Sequence, residues 1–433
     1  MNARDRDRQR RAVRADTPHA AGAAGKPEGP CPIMRSCGGC EWLNLPYRKQ
    51  LARKQAATEE LFGPLIEHHW WDAVVDPIVP AGPLPGEPPA AIGRLAAPRA
   101  FRYKAATPFA PGEHGRVTCG FYARGTHRIV PCEFCAVEAP GMRDLLNGVA
   151  RAAERCGIPA YDEDRRAGAL RHAIVRKAWK TEEAMLTVVS AQQHLPHEEE
   201  FAGALRELDP RLSCVAVNVN PRQTNAMLGG QTHIMGRATC LRDELLGCTF
   251  EISPTAFYQT NPALTEMLYG LAIEGMALKP GDVLLDAYCG SGTIGICAAH
   301  EAAARGARVQ VLGVERNPDG VHDAQRNAQL NNLHDSCRFV CDDATRYLER
   351  AAAEGAHVDA VVLDPPRAGS TEAFIAAVAA LAPARVVYIS CNPATQARDL
   401  EWFASTGYRL VRLTPVDMFP HTSHVETVAV LER

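Results

Sequence analysis

Between residues 283 and 393, three short runs of apolar, mostly β-branched or aliphatic residues each end at a chemically distinctive tip. Val283-Leu-Leu-Asp-Ala-Tyr-Cys-Gly-Ser-Gly292 runs into a glycine loop, and Val361-Val-Leu-Asp-Pro-Pro-Arg367 into an acid followed by two prolines. Val386-Val-Tyr-Ile-Ser-Cys-Asn-Pro393 breaks off at a thiol and a proline turn. Runs of this kind pack as buried strands. Stretches of helical character surround them at 264–276, 295–305, 319–330, 371–381 and 394–403. Strands alternating with helices require a parallel sheet covered on both faces, and such open sheets bind ligands at the carboxyl ends of their strands. The three tips therefore belong to one site.

The rest of the chain reads differently. Short β-rich segments at 117–129, 171–178, 184–189 and 214–220 are separated by Gly, Pro and Asn turns, which predicts a mixed α+β domain on an antiparallel sheet. Segments 408–416 and 424–431 predict an antiparallel pair at one sheet edge. The expected division is a basic arm over 1–30, a central domain over 31–255 and a Rossmann-like α/β domain over 256–433. The arm has six arginines in its first fourteen positions and then Ala, Gly and Pro, too little apolar surface to offset the entropy of ordering. No run of eighteen apolar residues appears and no apolar core follows the arginines, so the expectation is a cytoplasmic protein without membrane span or secretory signal. No obligate protein partner is evident. A net charge of −3 gives no global attraction for polyanions, so contact with nucleic acid has to come from a local patch.

The glycine loop carries neither a Gly-x-Gly-x-x-Gly fingerprint nor a Walker lysine, which argues against a phosphate-bearing ligand. It opens instead with Asp286, and the second strand, 309–315, ends in Glu315, an acid suited to accept hydrogen bonds from ribose hydroxyls. S-adenosylmethionine, whose ribose is uncharged and which has no phosphate, fits such a site. Asp342 or Asp343, after the next strand, is placed to reach its adenine amino group; the blander reading of Glu315 is a surface acid at a strand end. In amino-directed methyltransferases, the turn matching Asp364-Pro-Pro closes with an aromatic residue that stacks on the acceptor. Here Arg367 stands in that position, which points to another way of handling the base.

That way is a thiol. Carbon 5 of uracil is a poor nucleophile, but addition of a thiolate to carbon 6 creates an enolate reactive at carbon 5. Cys391, at a strand's carboxyl end, is placed for this, whereas Cys289, Cys297 and Cys341 read as ordinary buried thiols. Elimination of the thiol requires a general base for the carbon 5 proton. Glu426 is the candidate, an acid between Val425 and Val428 in a β-like stretch, with His421 and His424 as rivals and an edge carboxylate facing water as the bland alternative.

Two further features stand apart from this sheet. Cys31-x5-Cys37-x2-Cys40 packs three thiols into ten residues around Gly38 and Gly39, a density that points to metal, with Cys132 and Cys135 as the nearest downstream fourth ligands. Spacing alone does not separate zinc from an iron-sulfur cluster. The segment 94–128 carries Arg94, Arg99, Arg102, Lys104, Arg116, Arg124 and Arg128 against Glu113, interleaved with Phe101, Tyr103, Phe109, Phe121 and Tyr122. It predicts a surface for single-stranded or loop RNA, the alternative being a solvated sheet face.

Taken together, Phe257-Tyr-Gln-Thr-Asn261, 286–292, Asp364-Pro-Pro-Arg367, Ser390-Cys-Asn-Pro393 and 417–426 resemble the RNA uracil-5-methyltransferase family across nearly the whole chain after residue 30. The resemblance implies that Gln259, Tyr288, Glu315 and Asp364 contact S-adenosylmethionine, that Cys391 is the nucleophile and Glu426 the base, and that Phe257 lies against the target base. It implies a [4Fe-4S] cluster on Cys31, Cys37, Cys40 and Cys135, since Cys135-Ala-Val-Glu-Ala-Pro140 looks like the family's fourth-ligand segment; Cys132 is left unassigned. Because the methyl-transfer chemistry needs no electron, the implied role of the cluster is structural or RNA-positioning. The run Asp417-Met-Phe-Pro-His-Thr422 looks closest to the branch that methylates 23S ribosomal RNA. The T-loop uridine of transfer RNA is the alternative substrate, and an iron-sulfur RNA-binding protein without turnover the alternative class.

Overall fold

The computed structural model describes residues 31–82, 97–224 and 226–433. The basic arm, Arg94 and most of the proline-rich stretch at 80–89 lie outside the described residues. Helix α1, Tyr47–His68, buries Tyr47, Leu51, Lys54, Thr58, Phe62 and Leu65, a stripe repeating every three or four residues. The two-residue strand β1, Val74–Val75, follows it.

The central sheet is built from β2 (Lys104–Pro111), β3 (Val117–Tyr122) and β4 (Ile129–Pro131), then helix α2 (Met142–Arg155), β5 (Leu170–Lys177) and β6 (Ala184–Ser190), then α3 (Glu198–Arg206), β7 (Leu212–Val219) and β8 (Gln231–Ile234). Its order is β4-β3-β2-β5-β6-β7-β8, antiparallel except for the parallel pair β6 and β7. The segment expected as one strand at 117–129 is two, because the chain reverses at Gly125, whose φ is 68°. Leu146, Val149, Phe201 and Leu205 from α2 and α3 pack against Val175, Leu186, Val188 and Val217 of the sheet.

A hairpin, β9 (Leu241–Leu245) and β10 (Cys248–Ile252), turns through Leu246 and Gly247, both left-handed as a two-residue loop requires. The C-terminal unit follows with α4 (Pro262–Met276), β11 (Val283–Ala287), α5 (Thr293–Ala304), β12 (Gln310–Glu315), α6 (Pro318–Leu330) and β13 (Cys337–Cys341). It continues through α7 (Ala344–Ala353), β14 (Ala360–Leu363), α8 (Glu372–Leu381), β15 (Arg385–Ser390), α9 (Pro393–Ser405), β16 (Arg409–Val416) and β17 (Glu426–Glu432). The sheet order is β1-β16-β17-β15-β14-β11-β12-β13.

Strands β11 to β15 are parallel, and their alternating residues enter two different cores. Leu284, Val362 and Val387 pack under α4, α5 and α6; Leu285, Val361 and Val386 pack under α7, α8 and α9. The expected pair β16 and β17 is antiparallel, but β17 lies inside the sheet between β15 and β16, and the edge is β1. Thus the segment around 47–79 docks on the C-terminal sheet, not on the central one with which it is contiguous in sequence. The reason is its apolar stripe: Phe62 and Leu65 share a core with Leu400, Phe403 and Leu413. The hairpin β9–β10 likewise leans on α6, where Asn327 and Asn331 accept hydrogen bonds from the backbone of Glu251 and Thr249 at 2.8 and 2.9 Å.

Candidate active site

Strand order reverses between β11 and β14, since one half of the sheet grows from β11 through β12 to β13 and the other through β14 to β15. A crevice opens at such a point, at the carboxyl ends of the strands. The loop after β11 is shaped by left-handed Tyr288, Gly290 and Gly292, with φ values of 62°, 55° and 77°. A Cβ on Gly292 would stand 2.8 Å from the Phe339 ring, so only glycine brings the loop this close to the sheet. Glu315 ties the loops together: Gly290 N–H donates to its Oε2 at 3.1 Å and Asn317 N–H to its Oε1 at 2.7 Å. Asp286 accepts from Gly295 N–H at 2.9 Å, and burial pushes its carboxyl up to about 7.

A cavity of about 670 Å³ fills the crevice and is bordered by Gln259, Tyr288, Glu315 and Asp364, by Cys391 and Glu426, and by Phe257, which is 65% exposed at its rim. Asp342 and Asp343 border it too, but Asp342 binds Arg350 at 2.7 Å and Asp343 caps α7 by accepting from Arg346 N–H. Tyr269 and Phe419 also line it and were not anticipated there; Tyr269 is one apolar residue among many in α4, and Phe419 lies in the 417–422 run without a role assigned from the sequence.

Cys391 is half-buried just past β15, and Glu426 opens β17. The antiparallel register pairs Ser390 with Thr427, so one residue further along each strand places Cys391 opposite Glu426. Burial raises the thiol, the negative charges of Glu426 and Asp364 add to this, and Arg367 opposes it. Glu426 is 3% exposed, and its Oε2 has no hydrogen-bond partner among the described residues. Burial, reinforced by Asp364, pushes its carboxyl up to about 8, and burial alone takes Asp364 to about 7. The cysteine loop is lashed to the acidic turn, as Asn392 Nδ2 donates to the Arg367 carbonyl at 3.0 Å and Thr395 Oγ1 at 3.3 Å.

Of the two rival bases, His421 is unavailable. Its Nε2 donates to the Pro98 carbonyl at 2.7 Å, which leaves Nδ1 to accept from Gln50 Nε2 at 3.2 Å, and the ring is fully buried. His424 is exposed and lines the cavity. Among the other thiols, Cys289 and Cys297 are buried as expected, while Cys341 is exposed at the end of β13.

Cys31, Cys37, Cys40 and Cys135 border one separate cavity together with Arg102, Phe121 and Glu138, and Cys132 does not. Among the described residues, no group of three or more His, Cys, Asp or Glu is arranged to hold a metal ion. The basic segment is not a continuous surface. Strand alternation sends Phe109 into the core, Phe101 is buried beside His421, Phe121 lies 4.3 Å under the Arg143 guanidinium, and Lys104 is lowered to about 8 by burial and by Arg176. What remains outside is Arg99, Arg116 and the turn with Tyr122, Arg124 and Arg128. No described helix is long and apolar enough to cross a membrane.

Comparison with known proteins bears on this geometry. A family model described as tRNA (Uracil-5-)-methyltransferase matches residues 165–433. An uncharacterized RNA methyltransferase of Bacillus cereus is 36% identical over 406 residues, which cover 93% of this chain and 82% of that protein. One of Halalkalibacterium halodurans is 34% identical over 405 residues, covering 94% and 83%. Among solved structures, Pyrococcus abyssi tRNA (uracil-54, C5)-methyltransferase in complex with S-adenosyl-L-homocysteine superposes with a TM-score of 0.68 at 25% identity, covering 91% of this chain and 86% of that one.

Proposed function

Because the chain belongs to the tRNA (uracil-5-)-methyltransferase family of S-adenosylmethionine-dependent RNA enzymes, we propose that it methylates carbon 5 of a uridine in 23S ribosomal RNA by covalent catalysis. The observation that carries the mechanism is the opposition of Cys391 and Glu426 across β15 and β17 at the wall of the donor cavity. Gln259, Tyr288, Glu315 and Asp364 hold the donor, which supplies an electrophilic methyl group on a sulfonium. Cys391 adds as thiolate to carbon 6 of the uracil, and the electron pair of the 5,6 double bond moves into the enolate. Carbon 5 takes the methyl group. Glu426 then removes the carbon 5 proton, the enolate re-forms, and it expels the Cys391 thiolate as the 5,6 double bond returns. Phe257, at the rim, offers a face for the uracil ring.

The ribosomal substrate rests on the 417–422 run, and the likeness to an enzyme of tRNA uracil-54 favours the T-loop uridine as the second reading. The test is a denaturing gel of enzyme with S-adenosylmethionine and 5-fluorouracil-substituted 23S or transfer RNA. Fluorine cannot leave as a proton, so a covalent band is expected with the true substrate and none in Cys391→Ala. Absence of a band with either RNA refutes the covalent reading.

Four cysteines border one cavity, though they are not drawn together as metal ligands, and the Arg102 Nε is buried and lacks a partner among the described residues; the thiol chemistry and the unpaired cation support an anionic iron-sulfur cluster as the occupant. Cys31, Cys37, Cys40 and Cys135 would hold it. Such a cluster would fasten the 31–40 segment to the turn after β3, which Cys37 and Gly38 already reach through Ala123 and Tyr122. Iron and sulfide analysis of anaerobically purified protein is expected to give about four of each per chain, and Cys40→Ser to lose them while still binding S-adenosylhomocysteine. An iron-free wild type purified under those conditions refutes the assignment.

A further inference from the structure

Cys391 borders two cavities. The second measures about 380 Å³ and is walled by Ala57, Thr58 and Leu61 of α1, by Asn392, Pro393 and Ala394 at the start of α9, and by 423–425 ahead of β17. Cys391, Arg367 and His424 line both spaces. Their chemistry differs. The first is rich in carboxylates, with Glu315, Asp342, Asp343, Asp364 and Glu426 at its wall, whereas no carboxylate borders the second. Arg367 is exposed, its backbone carbonyl is held by Asn392 and Thr395, and no carboxylate pairs with its guanidinium among the described residues.

The first cavity, at about 670 Å³, falls in the range of about 300–1,000 Å³ that small-molecule sites occupy and has room for the donor and one base. A uridine reacting at Cys391 inside a polynucleotide remains joined to neighbours on both sides, and at least one of them has to leave the crevice past the thiol. The second cavity begins at that thiol, has no acid to repel a phosphodiester, and offers one unpaired cation together with the apolar surface of Leu61, Pro393 and Val425.

We propose that the second cavity receives the nucleotide adjacent to the target uridine, with the connecting phosphate on Arg367 and the neighbouring base between α1 and the start of α9. The proposal rests on the uracil-methylation reading. It assigns α1 a part in substrate recognition: a helix from the N-terminal region makes one wall of a subsite whose other walls carry the nucleophile. Recognition of a splayed-out neighbour is how proteins commonly read single-stranded RNA.

Ala57 is exposed on α1 and takes no part in the chemistry, so Ala57→Trp fills the space without touching the crevice. The expected result is a KM for substrate RNA raised about tenfold with kcat and the affinity for S-adenosylhomocysteine unchanged, the pattern of lost uniform binding. Arg367→Gln is expected to reduce the slope of log affinity against log salt by about one phosphate contact. In fluorouridine RNAs, an abasic nucleotide on one side of the target is expected to lower adduct yield in wild type and to have no further effect in Ala57→Trp. An Ala57→Trp enzyme with wild-type KM, or a wild type indifferent to abasic neighbours on both sides, overturns the proposal alone. A wild type that forms no adduct with any fluorouridine RNA overturns the uracil reading as well.

Discussion

Asp364 and Glu426 at the crevice and Asp286 beneath its glycine loop are held far above the usual carboxylate range, at about 7, 8 and 7, chiefly by burial. Folded values above unfolded ones mean that their contribution to stability is complete below about pH 4 and is lost as pH rises through 7 and 8. In the donor-free enzyme, Asp286→Asn is therefore expected to show a smaller decline in melting temperature between pH 5 and 8.5 than wild type, as read by calorimetry; an identical decline would count against buried ionisation. Activity runs the other way. In the proposed mechanism Glu426 acts as base only when ionised and Cys391 as nucleophile only as thiolate, so kcat should climb with pH through about 8. Glu426→Gln should stall after methyl transfer and accumulate a covalent methylated adduct on ordinary uridine RNA, cutting turnover by about 100-fold or more. The placement of both residues at the cavity was legible because each sits at a strand end, where the pattern of apolar runs stops. His421 was not, since its partners Gln50 and Pro98 lie in distant segments whose approach no local pattern announces.

Five of the six helices of the C-terminal unit were legible within a few residues, whereas α7 passed unread: its buried stripe is Ala344, Leu348 and Ala351, with a single large apolar residue. The helix hardest to foresee was α1, whose buried stripe includes Lys54 and Thr58. Lys54 is buried against Asp417 in an ion pair fully shielded from water, and Tyr47 OH donates to the other Asp417 oxygen at 2.7 Å. Lys54 also donates to the Phe419 carbonyl at 3.1 Å, so α1 fixes the loop that leads to His424 and Glu426. Burial drives both partners toward neutrality and their mutual attraction resists it. Removing one partner strands the other, so Lys54→Met is expected to cost about 3–5 kcal/mol, measured from urea unfolding. Lys54→Met combined with Asp417→Leu should recover much of that loss, and a double variant no better than the single one would show that the network has a different source of strength.

The two large sheets are joined through the 256–261 stretch rather than strung as two beads. Tyr103 N–H donates to the Thr260 carbonyl at 2.7 Å, and Arg176 of the central sheet donates to the Ala256 carbonyl at 2.9 Å, so the stretch carrying Phe257 and Gln259 is held from outside the unit it serves. A fragment of residues 256–433 lacks both this support and α1 with β1. It is expected to be unfolded or aggregated and unable to bind S-adenosylhomocysteine by calorimetric titration, while the full chain binds; a soluble, binding-competent fragment would contradict this account. The parallel sheet was legible from strand and helix alternation. The docking of 47–79 on it was not, because a two-residue strand carries no periodicity.

The pairing of Val74 with Arg412 has a consequence for how the chain is made. During synthesis α1 emerges with an apolar stripe and a lysine whose counter-ion lies 363 residues further along the chain. Domains ordinarily settle in order of synthesis, amino end first. Here α1 cannot complete its packing until α9, β16, β17 and the loop before β17 have left the ribosome. Translation that stops short of Asp417 yields a chain whose first helix is still waiting for its partner, an exposed surface for chaperones and proteases to recognise.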